Sequence, residues 1–220
     1  MSDSTRTAEA LAAYTGARPE VQALVPTSAR RVLDLGCAGG ALGEGLKERS
    51  GVEVVGVELD PALAREAERR LDRVVVGSVE GLNSDVGRFD AIVAADVLEH
   101  LVDPWTALRN AVELLEPGGT AVVSLPNVRF FETFWQLGVR GRWPRREQGV
   151  FDRTHLRWFT LRDARDLLEQ AGLEVVDVVP LIRIRPKGSR FDRLFGWLSR
   201  TPVSGFFAFQ YVLRGLKKQR

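Results

Sequence analysis

Four side chains stand out for the chemistry they could do together. Asp96, Glu99 and His100 fall in the run Ala95-Asp96-Val97-Leu98-Glu99-His100-Leu101, and the chain has one other histidine, His155. If a helical turn opens at Asp96, Glu99 and His100 follow three and four residues on, on the same face. Two carboxylates and an imidazole on one face support three readings. In the first, His100 or His155 is a general base that takes a proton from a substrate hydroxyl, a task an imidazole suits because it titrates near neutral pH. In the second, Asp96, Glu99, His100 and His155 hold a divalent metal that acidifies and orients such a hydroxyl. In the third, Asp96-x-x-Glu99 is a capping box that ties up backbone donors at a helix start, with His100 partly buried beside it. The candidate catalytic residues are therefore His100, His155 and Asp96.

A second signal is Val32-Leu33-Asp34-Leu35-Gly36-Cys37-Ala38-Gly39-Gly40, an apolar run that passes straight into small residues and then into a helical pattern. Small residues let a ligand lie against the backbone, and a helix N-terminus favours polar or anionic groups. About 22 residues beyond Gly36, Glu58 ends the next apolar run. A carboxylate placed there accepts hydrogen bonds from ribose hydroxyls in nucleotide-binding α/β folds. A dinucleotide fingerprint asks for G-x-G-x-x-G, and Gly36-x-Ala38-x-x-Ala41 departs from it at two of three positions. Asp34 would repel a pyrophosphate but attract a cofactor that carries a sulfonium and an ammonium. The pattern points away from NAD and towards S-adenosylmethionine. An NAD(P)-type oxidoreductase stays as an alternative, although no Tyr-x-x-x-Lys accompanies the turn; a non-catalytic cofactor-binding module is another.

The elements that must position these residues alternate. Arg31–Gly36, Val52–Leu59, Arg73–Val76, Phe89–Ala95 and Thr120–Leu125 read as strands, each short, apolar and rich in β-branched residues. Ala41–Arg49, Pro61–Leu71 and Pro104–Leu115 read as helices between them, the last stopped by Glu116-Pro117-Gly118-Gly119. This rhythm predicts an α/β domain with a parallel sheet covered by helices on both faces. Asn127–Thr160 breaks it, with eight aromatics and seven arginines in irregular order. Leu161–Ala171 is predicted helical and Leu173–Pro180 a strand, and alternating large apolar residues at Phe207–Leu213 predict a last strand. Residues 1–28 read as one or two lead-in helices, Thr7–Tyr14 and Pro19–Val25.

Composition narrows the classes further. With 220 residues, 45% hydrophobic and 27% charged, one globular domain is expected rather than a disordered or fibrous chain. A single cysteine excludes a disulfide scaffold and fits a reducing, cytoplasmic setting. No apolar run approaches the ~20 residues of a membrane helix, and the N-terminus lacks a secretory signal. Charge and aromatic content are uneven. From Pro180 onward ten Lys and Arg face one acid, for +9, whereas residues 1–179 carry 21 basic against 28 acidic residues, for −7. Fifteen of the eighteen aromatics follow residue 126.

In order and spacing, VLDLGCAGGALG, VVGVELDP, FDAIVAADVLEHLVDP, LLEPGGTAVVSLPN and THLRWFT…LLEQAGLEV resemble the successive motifs of class I S-adenosylmethionine-dependent methyltransferases. The flavour is similar to the ubiquinone-biosynthesis O-methyltransferases, and the likeness spans roughly Arg30–Pro180. It implies a doubly wound, Rossmann-like seven-stranded sheet, mostly parallel with an antiparallel last strand, over a single domain of residues 1–220. It implies methyl transfer to an oxygen of a small or carrier-linked biosynthetic intermediate, with S-adenosylhomocysteine as product. Carried onto this chain, the likeness assigns the methionine part of the cofactor to Asp34, Gly36, Cys37 and Gly40. Glu58 takes the ribose with Leu59 beside it, Ser78 and Val79 meet the adenine, and Ala95 lies at the end of the fourth strand. Ala38 stands where the family has its middle glycine, and Ser78 where it usually has an acid. The Asp96–His100 segment with His155 is also similar to the metal site of metal-dependent small-RNA 2′-O-methyltransferases.

The remaining segments suggest partners. Residues 127–160, placed after the fifth strand, read as a cap over the substrate, with Phe130, Phe131, Phe134 and Trp135 to stack on a ring or sugar. Arg140, Arg142, Arg145 and Arg146 would pair with an anionic group. Residues 186–204, with Phe191, Leu194, Phe195 and Leu198 at helical spacing among arginines, read as a basic amphipathic element that meets an anionic membrane or an acidic partner. Nucleic acid is not indicated, because no helix-turn-helix, knuckle or RNA-binding signature accompanies the charge.

Overall fold

The computed structural model describes residues 16–182 and 205–218. In chain order it contains α1 (Pro19–Gln22), β1 (Arg31–Leu35), α2 (Ala41–Lys47), β2 (Glu53–Glu58), α3 (Pro61–Ala67), β3 (Arg73–Val76), β4 (Phe89–Ala95), α4 (Pro104–Glu113), β5 (Leu115–Pro126), α5 (Phe131–Phe134), α6 (Leu161–Gln170), β6 (Leu173–Ile182) and β7 (Ala208–Lys217). A 3₁₀ turn at Leu98–His100 follows β4, and a π turn at Trp135–Val139 continues α5. The strands form one sheet in the order β3-β2-β1-β4-β5-β7-β6. β1 to β5 pair in parallel, and β7 lies antiparallel between β5 and β6. The seven-stranded, mostly parallel sheet expected from the family likeness is present.

Each strand's continuous apolar run is explained by cover on both faces. Leu33, Leu35, Val55, Ile92, Ala94 and Val123 point into one core, which α4 and α6 close. Val32, Val54, Ala91, Val93 and Val122 point into the other, under α1, α2 and α3. Side chains placed just before the first helical residues fix where helices begin. Asp60 accepts from the Ala62 amide ahead of Pro61 in α3, Asp103 accepts from Thr106 ahead of Pro104 in α4, and Thr160 and Asp163 form a reciprocal capping box in α6. Because the sheet is wound in two directions from β1, the carboxyl ends of β1, β2 and β4 meet at one edge, the place where open α/β sheets take ligands.

Several expectations shift by physical causes. β5 starts at Leu115, not Thr120, because the Glu116-Pro117-Gly118-Gly119 stop is absorbed as a register shift: Phe89 pairs with Leu115 but Ala91 with Thr120. β6 runs past Pro180 to Ile182, which an edge strand tolerates. β7 continues through Arg214 and Gly215 to Lys217 because β5 and β6 pair with it from both sides, so the alternation expected only to Leu213 is not its limit. The irregular segment 127–160 contains α5 and the π turn. The second lead-in helix shrinks to α1, with Arg18 before it in a left-handed conformation (φ 50°). The expected helix Thr7–Tyr14 and the basic element 186–204 lie outside the described residues. Among the described residues no helix is long and apolar enough to cross a membrane.

Candidate active site

β1 delivers its chain into a turn with three residues at positive φ: Gly36 (65°), Ala38 (46°) and Gly40 (82°), after which α2 begins. A Cβ on Gly36 would sit 2.5 Å from Val97 Cγ2, and one on Gly40 would sit 3.1 Å from the Ala67 backbone. The turn therefore needs glycine for both conformation and space. Gly36→Ala is expected to lose about 2–4 kcal/mol of stability, from left-handed strain and overpacking together, read as a lowered urea midpoint. Ala38 keeps its unusual φ because Glu58 holds it: Glu58 Oε2 accepts from the Ala38 amide at 2.9 Å and Oε1 from the Asp60 amide at 2.8 Å. Each of these oxygens keeps a second lone pair. The Cys37 amide donates to Val57 O (3.0 Å), while its side chain turns into the core beside Gly56. Burial, aided by the charges of Asp34 and Glu58, pushes the Cys37 thiol up and leaves it protonated.

Asp34 lies at the floor of the turn, 2% exposed, and its Oδ2 has no hydrogen-bond partner among the described residues. Burial, with the charge of Glu58 added, pushes its carboxyl up to about 7. A buried carboxylate without a donor is a costly arrangement that a cation relieves. Asp34, Gly36, Cys37 and Ala95 line a narrow cleft of about 20 Å³ over which Gly16 and Arg18 close. Beyond it, Leu59 is 69% exposed, Val79 is buried, and Ser78 Oγ caps the short turn at Val79–Gly81 by accepting from the Glu80 amide (3.1 Å).

A larger cavity of about 280 Å³ adjoins the cleft and is lined by Glu99, His155, Val150, Phe209 and Gln210 among others. Arg18 and Asp96 line both spaces and form the wall between them. Asp96 takes φ 58° and starts no helix. The turn there spans Leu98–His100 and has no side-chain cap, which overturns the expected capping box and the shared helical face that depended on it. The Asp96 carboxylate instead accepts from Arg18, from Gln210 and from Ser124 Oγ (3.3 Å). Arg18 also donates to Ser124 Oγ (3.0 Å) and Gln210 Oε1 (3.3 Å) and pairs with Glu20.

Glu99, His100 and His155 do come together; one ligand atom from each lies within 4.8 Å of the others. Asp96 is not part of this group. Glu99 is 1% exposed, and neither of its carboxylate oxygens has a hydrogen-bond partner among the described residues. His155 Nε2 stands 3.9 Å away. Burial, reinforced by the charge of Asp96, holds the Glu99 carboxyl well above the usual range. Burial, then the neighbouring His100, lowers His155 to about 4, and burial also lowers His100. Both rings are neutral at pH 7 and carry lone pairs. The rings meet edge to face with centroids 4.7 Å apart. A buried acid group with two unpartnered oxygens beside two neutral imidazoles is, once the acid ionises, a donor set that fits a divalent cation.

Arg18, Ser124, Gln210, Asp152 and Thr154 went unflagged in the sequence. One signal was present: Gln210 interrupts the otherwise apolar stretch Phe207–Leu213. In the 127–160 segment Phe130 is buried, but Phe131, Phe134 and Trp135 are 43%, 49% and 53% exposed, so the aromatic run is not a packed core helix.

Fold and site together define an α/β protein with a narrow cleft at the carboxyl edge of the sheet and a larger cavity beside it. The chain belongs to the methyltransferase-domain family, whose model matches residues 8–178. It is 32% identical over 166 residues to a ubiquinone biosynthesis O-methyltransferase of Cereibacter sphaeroides, covering 72% of this chain and 66% of that one. It is 40% identical over 114 residues to the protein of the same name from Xanthomonas campestris pv. campestris, covering 49% and 47%. The chain thus spans about half to just under two thirds of the length of these relatives. Among solved structures, a SAM-dependent methyltransferase of Thermotoga maritima superimposes with a TM-score of 0.66 at 24% identity, covering 94% of this chain and 89% of that one. The N-methyltransferase NodS of Bradyrhizobium japonicum, in complex with S-adenosyl-l-homocysteine, superimposes with a TM-score of 0.60 at 18% identity, covering 90% and 84%. These two likenesses concern the fold.

Proposed function

We propose that the protein transfers the methyl group of S-adenosylmethionine to a hydroxyl oxygen of a small or carrier-linked biosynthetic intermediate. One observation carries this reading: Arg18 and Asp96 are shared by the cleft at the glycine turn and by the cavity that holds Glu99 and His155, so a donor in one lies a side chain away from an acceptor in the other. On this reading Asp34 receives the cofactor's ammonium, the Gly36–Gly40 turn its backbone-facing methionine part, and Glu58 its ribose. Leu59, Ser78 and Val79 would border the adenine, and Ala95, which lines the cleft with Asp34 and Gly36, would contact the cofactor. Bound there, S-adenosylmethionine would supply an electrophilic methyl group to the acceptor oxygen, the electron pair of its carbon–sulfur bond going to sulfur to give S-adenosylhomocysteine. Without a cation at Glu99, His100 and His155, the acceptor's proton would pass to the neutral imidazole of His155, which lines the cavity. The sulfonium is a good leaving group, so holding the two reactants in line supplies much of the rate.

A divalent cation held by Glu99, His100 and His155 would lower the pKa of the acceptor hydroxyl. The unpartnered oxygens of Glu99 favour this reading of the three residues. The names of the relatives support oxygen as the accepting atom and a quinone precursor as one acceptor to try. Segment 127–160 is assigned as the substrate cap. Its exposed Phe131, Phe134 and Trp135, with exposed Arg140 and Arg142, together with the basic C-terminal segment, suit peripheral contact with an anionic lipid surface. Cosedimentation with phosphatidylglycerol vesicles but not with phosphatidylcholine vesicles is expected; equal recovery with both overturns the lipid assignment.

Titration calorimetry with S-adenosylmethionine, followed by transfer of a labelled methyl group to phenolic and sugar acceptors, tests the function. Saturable binding and label in the acceptor are expected. No heat at millimolar cofactor would sink the proposal.

A further inference from the structure

We propose that Asp152 and Thr154 form a positioning relay that fixes His100 as its Nδ1–H tautomer and so puts the ring's lone pair on Nε2. The proposal rests on the reading above, in which His100 belongs to the working group with Glu99 and His155.

Two oxygens of Thr154 assign the tautomer. The Thr154 carbonyl oxygen lies 3.3 Å from His100 Nδ1, and a carbonyl can only accept, so the nitrogen carries the proton. Thr154 Oγ1 lies 3.0 Å from the same nitrogen. A hydroxyl has one proton, and this one is given to Asp152 Oδ1 across 2.6 Å, so towards the ring Oγ1 offers lone pairs. Asp152 Oδ1 also accepts from the Thr154 amide at 2.8 Å, which locks the threonine's rotamer. Asp152 itself is buried, 5% exposed, and its amide donates to Gly149 O (2.9 Å).

The relay is tied to the residues it serves. The amides of Leu156 (2.9 Å) and Arg157 (3.0 Å) both donate to the carbonyl of Glu99, so the strap that carries Thr154 moves with the turn that carries Glu99 and His100. The same strap carries the second histidine, whose amide donates to Asp152 O (3.2 Å). The His100 ring is thus held at Nδ1 by Thr154. Fixing the tautomer matters because a neutral ring in the wrong form presents an N–H where a proton acceptor or a cation ligand is needed.

The test uses the full chain labelled with ¹⁵N-histidine, free of cofactor and metal, at a pH where the rings are neutral. With only two histidines, a His155→Ala sample assigns the signals. His100 is expected to show a protonated, pyrrole-type Nδ1 and an unprotonated Nε2. Thr154→Val, which keeps the shape and removes the hydroxyl, is expected to mix the two tautomers and to lower kcat about 10- to 100-fold with KM for the cofactor unchanged. Thr154→Ser is expected to restore both. A protonated Nε2 in the wild type, or Thr154→Val with wild-type spectrum and turnover, overturns the relay. Full turnover in His100→Ala, with the wild-type spectrum as expected, overturns instead the reading on which it rests.

Discussion

Asp34→Asn is expected to raise the melting temperature of the cofactor-free protein and to abolish its binding of S-adenosylmethionine. The carboxyl is 2% exposed, one oxygen has no partner among the described residues, and its folded pKa is about 7 against an ordinary 3.8. The folded state therefore prefers the protonated acid. Stability from this group is intact below the unfolded value and is lost as pH climbs through about 7. Asparagine does not ionise, so its advantage is largest at alkaline pH, about 4 kcal/mol or on the order of 10 °C, and under half of that at pH 5. The same charge that burdens the empty fold is what a bound ammonium would use. Cofactor affinity of the wild type should rise about tenfold per pH unit between pH 5 and 7, with a proton released on binding. Calorimetry in buffers of different ionisation enthalpy reads that proton. Identical heats in all buffers at pH 6, or undiminished cofactor binding by Asp34→Asn, would contradict the role given to Asp34.

Glu99→Gln should act in the same two directions at the other end of the site. Burial holds the Glu99 carboxyl well above its ordinary value, so the ionised form destabilises the fold increasingly as pH rises, and the neutral amide removes that burden. A rise in melting temperature at pH 8 is expected for the variant. Its affinity for zinc or manganese should fall at least about 100-fold and its turnover by about 10²- to 10⁴-fold, since a ligand or proton-handling partner is lost. Dialysis of the wild type against a chelator should depress turnover to a comparable degree, and adding the metal back should restore it. Wild-type protein that binds neither metal by calorimetry and keeps full turnover through dialysis would leave His155 as a simple base.

The cofactor end was legible because it is local. Asp34, the glycine turn and the opening of α2 follow one another in the chain, and Glu58 arrives one strand later in the register that pairs Leu35 with Val57. What the sequence concealed is of two kinds. Asp96, Glu99 and His100 invite a helical reading by their spacing, yet Asp96 takes a left-handed φ that reverses the chain, and its carboxylate leaves the group to meet Arg18 and Gln210. Those partners lie 78 and 114 residues away in the chain and reach Asp96 only because α1 and β7 fold to the same edge. Arg18 reads like any solvated arginine of a lead-in segment. Thr154 and Asp152 read as loop residues because their value lies in one nitrogen of a histidine 54 residues distant. The aromatic segment was visible as a departure from the α/β rhythm, but not that five of its rings, Phe131, Phe134, Trp135, Trp143 and Trp158, are exposed.

A crystal structure with S-adenosylhomocysteine weighs most directly on the whole reading. The expected complex has the ammonium within hydrogen-bond reach of Asp34 Oδ2, a ribose hydroxyl on Glu58, and the sulfur directed past Asp96 into the cavity of His155. A product molecule seated away from the Gly36–Gly40 turn, or a sulfur facing solvent with Glu58 turned aside, would contradict it.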